Sequence, residues 1–305
     1  MQRHLMTVDS DTKRQVKGII LAGGHGSRLY PLTRVVSKQL LPIYDKPMIY
    51  YSISVLMLAG IKEILIITNP EYLEAYRQLL GDGSQLGMMF QYCAQPSPDG
   101  LAQAFILAED YLDGSSTCMV LGDNLFFGHG FAGFLHQAVK RLSDNQATVF
   151  AYRVSDPQRY GVVTFDSTGK ATSIEEKPVV ATSPYAVTGL YFFPPDVSNL
   201  AKQLSPSARG ELEITDLNQR YLQQSRLHVE TLGRGFAWLD TGTQSSLLEA
   251  SSYIEVLEKR QGRKVACLEE MAYELGFIDA NQLRVLAQSL ASSEYGRYLL
   301  ALLDE

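Results

Sequence analysis

The chain has 305 residues, of which 46% are hydrophobic and 20% charged, a composition typical of a globular protein with a sizeable core. Its formal net charge is −6, from 27 basic and 33 acidic residues, which disfavours a duplex nucleic-acid partner because such a partner requires a basic face. Three cysteines and five histidines show neither disulfide nor metal-ligand spacing. No apolar run reaches the ~18 residues that span a bilayer, and the polar segment 1–15 lacks the apolar middle of a signal peptide. We therefore expect a cytoplasmic protein with no membrane partner, whose residues 1–15 form a disordered arm.

The first half of the chain alternates apolar runs with helical patterns. Near-continuous apolar runs predict strands that are buried on both faces of a parallel sheet, at 16–22, 63–68, 88–92 and 117–122. Helices are predicted from Pro47, a residue suited to a first helical position, to Gly60, and also at 72–80 and 101–112. This alternation predicts an α/β fold with a mostly parallel sheet.

After about Ala147, strand signals follow one another with few helices between them. Antiparallel additions to the sheet are predicted at 147–154, 161–165, 171–176 and 186–193, with a hairpin turn at 166–169. A helix is expected from about Glu213 and short strands at 227–232 and 236–239. From Ser245 the chain reads as helical almost to its end, with breaks at Gly262, Gly276 and Gly296. We expect one α/β domain over 16–245 and a helical appendage over 246–305, packed on the core or at an oligomer interface.

A glycine-rich turn, Leu21-Ala22-Gly23-Gly24-His25-Gly26-Ser27-Arg28, follows the first predicted strand. Glycines let the backbone approach a phosphate closely, and their N–H groups can form an anion-binding nest. A Walker loop requires Lys and then Ser or Thr after its last glycine, and a dinucleotide fingerprint from Gly24 would require glycine at Leu29. The segment fits neither, so taken alone it is equally compatible with a plain strand-to-helix turn.

Further along the chain, three side chains suit nucleotide chemistry. Gln95 can offer a donor and an acceptor to a base edge, and nearby Gly100 can offer backbone atoms, although an ordinary turn is the alternative. Asp123 and Asp240 each end an apolar strand, where open α/β sheets bind ligands, although an aspartate there can also cap a helix. Mg²⁺ prefers one or two protein carboxylates together with phosphate oxygens, so both aspartates are candidate ligands.

The pattern LAGGxGSRLxPLT…SKQLLP…KPM resembles the signature of the sugar nucleotidylyltransferases, and the segments GDN, WLDTGT, YGVV and EEKP complete it. The likeness covers nearly everything from Lys17 to the C-terminus. The segments 95–104 and 266–283 are similar to the thymidylyl-transferring branch of this family. Threonine is more usual at Ser27, whose hydroxyl group is retained. The resemblance implies a Rossmann-like, nucleotide-diphospho-sugar transferase fold with a mixed, mostly parallel sheet.

The resemblance also implies roles for individual residues. It predicts triphosphate contacts for Arg28 and Lys38, a sugar-phosphate contact for Lys177, and Mg²⁺ between Asp123 and Asp240, and these five are the predicted catalytic residues. The predicted nucleotide-binding residues are Leu21, Ala22, Gly23, Gly24, Gly26, Ser27, Arg28, Lys38, Gln95, Pro98 and Gly100. The predicted sugar and phosphate-binding residues are Leu101, Asn124, Tyr160, Gly161, Glu176, Lys177, Val187, Tyr191 and Arg209. An ordinary strand is the alternative for YGVV, and a solvated charge cluster is the alternative for EEKP.

The implied reaction is the magnesium-dependent, in-line transfer of the thymidylyl group of dTTP to glucose 1-phosphate, as the first step of dTDP-rhamnose or related deoxysugar synthesis. The attacking phosphate oxygen is already ionised, so positioning and charge neutralisation are expected to supply the catalysis. A sibling that uses UTP or ATP stays open, because pockets discriminate a methyl group by only ~1–3 kcal/mol. A non-catalytic paralogue is a second alternative. The family is typically a homotetramer with a second nucleotide site, for which 233–235 and the helices after Ala266 are candidates.

Overall fold

The computed structural model describes residues 15–304, so the arm predicted over 1–15 lies, apart from its last residue, outside the described residues. The strands within this range are β1 (Lys17–Ala22), β2 (Pro42–Ile43), β3 (Lys46–Pro47), β4 (Glu63–Thr68), β5 (Met89–Ala94), β6 (Thr117–Leu121), β7 (Asn124–Gly128), β8 (Ala147–Arg153), β9 (Gly161–Phe165), β10 (Ala171–Glu176), β11 (Tyr185–Phe193), β12 (Leu227–Leu232) and β13 (Phe236–Asp240). The helices are α1 (Ile49–Leu58), α2 (Leu73–Leu80), α3 (Gln103–Leu107), α4 (Glu109–Leu112), α5 (Phe131–Ser143), α6 (Val197–Lys202), α7 (Ile214–Gln223), α8 (Gln244–Gln261), α9 (Leu268–Glu274), α10 (Ala280–Ser289) and α11 (Glu294–Ala301).

A mixed nine-stranded sheet forms the centre of the fold. Its main path runs β10-β9-β11-β6-β1-β4-β5, with β8 paired to β11 and β12 paired to β8. Strands β6, β1, β4 and β5 are parallel to one another, whereas β11 is antiparallel to β6 and to β8. The predicted α/β fold, with a parallel centre and antiparallel additions, is confirmed. A separate antiparallel ribbon joins β7 to β13, and β2 pairs with β3.

Both faces of the sheet are covered, which explains the continuous apolar runs in its central strands. Successive side chains of a strand point to opposite faces. Ile20 of β1 therefore packs into a core with residues of α1 and α5, whereas Ile19 packs into a second core with residues of α3 and α7. The same alternation separates Ile66 from Leu65 in β4. The carboxyl ends of the parallel strands are thereby fixed in one rigid frame.

Two boundaries of the helices differ from those predicted. Pro47 does not begin a helix but lies in β3, and α1 begins at Ile49. Proline suits an edge strand as well as a first helical position, so the sequence allowed both. Gly296 does not break the C-terminal helices but lies inside α11, where a Cβ atom would be 2.0 Å from the carbonyl oxygen of Leu290. The break falls just before Ser293, whose side chain caps α11.

Other elements were predicted incompletely or not at all. The helix expected over 101–112 consists of the two short helices α3 and α4, which meet at Ala108. The sequence analysis did not predict β7, α5 or α6. Only Gly122 and Asp123 lie between the end of β6 and the start of β7, so the apolar runs of the two strands could not be separated by composition.

The C-terminal helices pack against the sheet-bearing part of the chain and against each other. Ala250 and Ile254 of α8 share a buried cluster with Ile43 and Leu125. Helix α9 packs on α1, and a smaller cluster around Leu283 joins α10 to α11. Among residues 15–304, no helix combines the length and apolar character needed to cross a membrane. The division of the chain near residue 245 stays a prediction.

Candidate active site

Two neighbouring cavities lie beyond the carboxyl ends of the parallel strands. Their volumes are about 340 Å³ and about 210 Å³, and we name them the large and the small cavity. Open α/β sheets bind ligands at this edge. Four residues border both cavities: Leu101, Leu121, Asp123 and Glu211. Asp123 therefore stands where groups held in the two cavities would meet.

The glycine-rich turn forms one wall of the small cavity. A Cβ atom at Gly23 would lie 2.3 Å from Oε1 of Gln95, so glycine is required for this approach. The next residue, Gly24, has φ +89° and donates its N–H to Oδ1 of Asn69 at 3.0 Å. The predicted nucleotide-binding residues that line the small cavity are Leu21, Gly23, Gly24, Lys38, Gln95, Pro98 and Gly100.

Four residues of that predicted set do not line the small cavity. Ala22 is buried in the core at the end of β1. Gly26 and Ser27 form the start of the following 3₁₀ turn. Arg28 faces the large cavity. Gly23 and Gly24 of the glycine-rich turn thus line the small cavity, whereas Arg28 at the end of the turn lines the large one.

Gln95 is held in place by the start of the next helix. Its side chain is buried, and its Nε2 atom donates to Oε1 of Gln103 at 2.7 Å. The Nε2 atom of Gln103 donates in turn to Asp99 at 2.8 Å. This chain of bonds fixes the amide orientation and directs the Gln95 oxygen towards Gly23. The sequence analysis missed Gln103, although its position four residues after Asp99 suits a contact across one helical turn.

Lys38 pairs with the carboxylate of Asp123. A buried hydrogen-bond network stabilises the turn that carries Lys38. In this network the Ser37 hydroxyl donates to Gln39 at 2.8 Å and lies 2.7 Å from the Tyr76 hydroxyl. Burial acts to raise the pKa of Asp123, but the Lys38 ammonium and a hydrogen bond from Asn124 outweigh it, so the pKa is lowered. Asp123 is therefore a carboxylate at neutral pH.

The second aspartate is brought to Asp123 by the β7–β13 ribbon. Asp240 lies opposite Asn124 in this ribbon, and Thr241 donates its N–H and its hydroxyl to the Asp123 carbonyl at 3.2 and 2.9 Å. Burial, and after it the negative charge of Asp123, raise the pKa of Asp240. The charge of Asp123 therefore opposes ionisation of Asp240.

Two arginines flank Asp240. The Nη2 atom of Arg159 lies 3.7 Å from its carboxylate. Arg28 is also near, because a Cβ atom at Gly242 would be 3.1 Å from both the Arg28 guanidinium and the Asp240 carboxylate. Together with Lys38, these arginines surround the acidic pair with positive charge, which is the arrangement that favours anionic ligands. Arg159 was not predicted, although it directly precedes the YGVV segment.

Asn124 organises the ribbon. Its Oδ1 atom accepts hydrogen bonds from the Trp238 indole at 2.7 Å and from the Gly189 N–H at 3.0 Å, while its Nδ2 atom donates to Asp123 at 2.9 Å. Gly189 allows this contact because a Cβ atom there would lie 2.7 Å from the amide. The amide of Asn124 lines the large cavity, but both of its polar atoms already have protein partners.

All nine predicted sugar and phosphate-binding residues line the large cavity: Leu101, Asn124, Tyr160, Gly161, Glu176, Lys177, Val187, Tyr191 and Arg209. Arg28, Asp123 and Asp240 line it as well. Lining residues that were not predicted are Leu121, Arg159, Glu211, Glu213, Ile214, Thr215, Asn218 and Trp238. Thr215 and Asn218 are three residues apart on α7, a spacing that places both on one helical face.

The carboxylate of Glu176 contacts two cations of the large cavity and also a hydroxyl of α7. Its Oε2 atom accepts a hydrogen bond from the Thr215 hydroxyl at 2.5 Å, and its Oε1 atom lies 3.5 Å from the Lys177 ammonium and 3.3 Å from the Arg209 guanidinium. Arg209 also bonds both carboxylate oxygens of Glu213 at 2.8 Å. The large cavity therefore combines cations, two of which contact Glu176, with hydrogen-bonding groups along α7.

The comparisons with known proteins agree with this geometry. Residues 17–256 match the family model described as nucleotidyl transferase. A glucose-1-phosphate thymidylyltransferase of Xanthomonas campestris is 58% identical over 288 residues, covering 94% of this chain and 97% of that protein. A Bacillus anthracis structure described as a glucose-1-phosphate thymidylyltransferase with sucrose has a TM-score of 0.72 and 40% identity over 78% of this chain and 94% of its own. A UDP-glucose pyrophosphorylase with UDP-glucose has a TM-score of 0.70 and 25% identity over 82% and 100%.

A mixed sheet with a parallel centre, a glycine-rich turn, paired aspartates and two joined cavities are the features of an enzyme that transfers a nucleotidyl group. The chain belongs to the nucleotidyl transferase family, as the match over most of its length shows.

Proposed function

We propose that the protein transfers the thymidylyl group of dTTP to α-D-glucose 1-phosphate, giving dTDP-glucose and pyrophosphate. The observation that carries this proposal is the position of Asp123 on the border of both cavities, with Asp240 beside it across the β7–β13 ribbon. The Xanthomonas campestris relative, 58% identical over nearly the whole chain, bears the name of this activity. The small cavity would hold the nucleotide, and the large cavity the sugar phosphate.

The reaction depends on neutralisation of phosphate charge more than on proton transfer. A phosphate oxygen of glucose 1-phosphate attacks the α-phosphorus of dTTP, a new P–O bond forms, and the bond to pyrophosphate breaks. The nucleophile is already ionised, so positioning and electrostatic stabilisation supply the catalysis. Lys177 and Arg209 would hold the sugar phosphate, while Arg28 and Lys38 would offset charge on the triphosphate and on the departing pyrophosphate.

The paired aspartates fit a magnesium ion. Within residues 15–304, no three His, Cys, Asp or Glu side chains converge to hold a metal by themselves. Mg²⁺ needs only one or two protein carboxylates when phosphates and water supply the remaining oxygens. The raised pKa of Asp240, caused by burial and by the charge of Asp123, fits a place where a divalent cation would relieve repulsion. Bound Mg²⁺ would neutralise phosphate charge, with Asp123 and Asp240 as its protein ligands.

The choice of thymine over other bases rests on the loop at Gln95. The fold alone does not decide it, since a UDP-glucose pyrophosphorylase shares the architecture. Gln95 is pre-oriented by Gln103. Position 100 requires glycine, because its φ is +109° and a Cβ atom there would lie 2.4 Å from the backbone of Leu212. A fixed amide beside a glycine suits a pyrimidine edge. UTP is the competing donor, since it differs from dTTP at the base by one methyl group.

The test is pyrophosphate release with glucose 1-phosphate and Mg²⁺, comparing dTTP, UTP and ATP as donors, with and without a chelator. We expect dTTP to be preferred and chelation to abolish the release. Preference for UTP or ATP would overturn the thymidylyl assignment. Absence of release with every donor would favour a different sugar phosphate as substrate or a non-catalytic paralogue.

We also propose a homotetramer in the cytoplasm whose product supplies deoxysugar synthesis. The large apolar side chains of Leu248 and Val256 on α8 are 69% and 58% exposed, and an interface between copies would cover them. Light scattering coupled to size-exclusion chromatography measures the mass directly. A monomer at micromolar concentration would contradict the proposal.

A further inference from the structure

One wall of the large cavity contains a buried amide without a partner. Asn218 of α7 is 0% exposed, and neither its Oδ1 atom nor its Nδ2 atom has a hydrogen-bond partner among the described residues. Buried polar groups in folded proteins are nearly always hydrogen-bonded, so each exception requires a reason. The other orphaned side-chain atoms of residues 15–304 belong to Arg141, Thr148 and Thr188, which do not line this cavity.

The order of residues along α7 shows which part of a ligand would reach this amide. Glu213, at the N-terminal end of the helix, bonds Arg209 on the cationic side of the cavity. Thr215 comes next and bonds Glu176. Asn218 lies one helical turn further from Arg209, roughly 5 Å beyond Thr215 along the helix face. A sugar phosphate that is held by Arg209 and extends along α7 would therefore reach Asn218.

We propose that the amide of Asn218 is a sugar-recognition group that hydrogen-bonds a ring or exocyclic hydroxyl of the bound sugar phosphate. This inference rests on the proposed function, since it assumes that the large cavity binds glucose 1-phosphate. An amide offers one acceptor and two donor hydrogens, and a hydroxyl can both donate and accept. Ligand binding would thus satisfy atoms that the protein leaves unpaired, and sugars that lack the hydroxyl would leave them unpaired.

The test is a coupling experiment between Asn218 and single hydroxyls of the substrate. The kcat/KM of the wild type and of Asn218→Leu is measured with glucose 1-phosphate and with its 2-, 3-, 4- and 6-deoxy analogues. We expect Asn218→Leu to lose about tenfold with glucose 1-phosphate and with three of the analogues. For the analogue that lacks the recognised hydroxyl, the variant and the wild type should be nearly equal. Asn218→Asp, which keeps an acceptor only, separates the donating from the accepting role.

Thr148→Val provides the control, because it removes the Thr148 hydroxyl, a buried polar group without a hydrogen-bond partner among the described residues, which lies outside the cavity. It should show no coupling with any analogue. An equal loss by Asn218→Leu across all five sugars, or no loss at all, would overturn the inference in favour of a structural role or a permanently bound water. If Asn218→Leu does not fold, Asn218→Ala gives the same comparison. Failure of the proposed function is seen separately, as absence of wild-type turnover with glucose 1-phosphate.

Discussion

Asn124 and Asp240 face each other across the β7–β13 ribbon, and this pairing brings the second acidic side chain of the site to the first. Asn124 follows Asp123 directly in the chain, so the register of the ribbon sets the spacing of both carboxyl groups. The Thr241 bonds to the Asp123 carbonyl lock that register. The electrostatic centre of the site is thus a consequence of one short strand pair.

Replacing Asp240 by asparagine tests the acidic pair. The substitution keeps the side-chain volume and removes one negative charge, so we expect kcat to fall about 10²–10³-fold, as for loss of a preorganised charge in other enzymes. Asp144→Asn makes the same chemical change at an exposed position and should leave kcat unchanged. Pyrophosphate release and thermal unfolding are measured for both variants. Near-normal turnover of Asp240→Asn would remove it from the proposed set of metal ligands.

Removal of the Arg28 side chain should act on turnover and not on folding. Arg28 is exposed and contributes charge beside Asp240, so Arg28→Ala is expected to lower kcat about 10²–10³-fold with an unchanged unfolding temperature. The comparison variant is Arg284→Ala on exposed α10. A drop in unfolding temperature that accounts for the lost activity would contradict a catalytic role.

Gln103 is expected to act through Gln95. Gln103→Leu removes the acceptor that fixes the Gln95 amide, so we predict that the KM for dTTP rises by about tenfold, equivalent to one hydrogen bond, while kcat changes little. Steady-state kinetics with varied dTTP at saturating glucose 1-phosphate separate the two parameters. A fall in kcat at constant KM would show that Gln103 does not act by positioning the base-binding amide.

Two glycines with ordinary backbone angles should respond oppositely to the same substitution. Gly189→Ala places a Cβ atom 2.7 Å from the Asn124 amide, and we expect a loss of about 1–3 kcal/mol in the free energy of unfolding from overpacking. Gly133→Ala lies on the exposed side of α5, where a Cβ atom meets nothing within 4 Å, and should stabilise by roughly 0.5–1 kcal/mol. Urea unfolding measures both. Equal effects of the two substitutions would refute the crowding at Asn124.

The sequence predicted the frame of the molecule well because the central strands have a simple pattern. The run Glu63–Thr68 matched β4 residue for residue, since a strand buried on both faces is apolar throughout. The prediction was wrong at Pro47, because proline suits both an edge strand and the first position of a helix. It missed β7, because only a glycine and an aspartate separate this strand from β6.

The residues of the site were accessible to sequence reasoning only when they belonged to a motif. Every predicted sugar-phosphate residue lines the large cavity, because each lies in a segment with a recognisable pattern. Thr215 and Asn218 were missed because the sequence of a helix does not tell which of its polar residues face a cavity. That becomes clear only when the neighbouring elements are placed. Gln103 was missed because its importance depends on a partner eight residues earlier.

The wall that separates the two cavities has a kinetic consequence. A nucleotide or a sugar phosphate fills one cavity, whereas a nucleotide-sugar must cross the wall at Asp123 and occupy both. The joined molecule therefore displaces either reactant, so its accumulation slows the forward reaction at two binding steps simultaneously. Pyrophosphate, which touches one cavity only, leaves the other accessible to a new sugar phosphate.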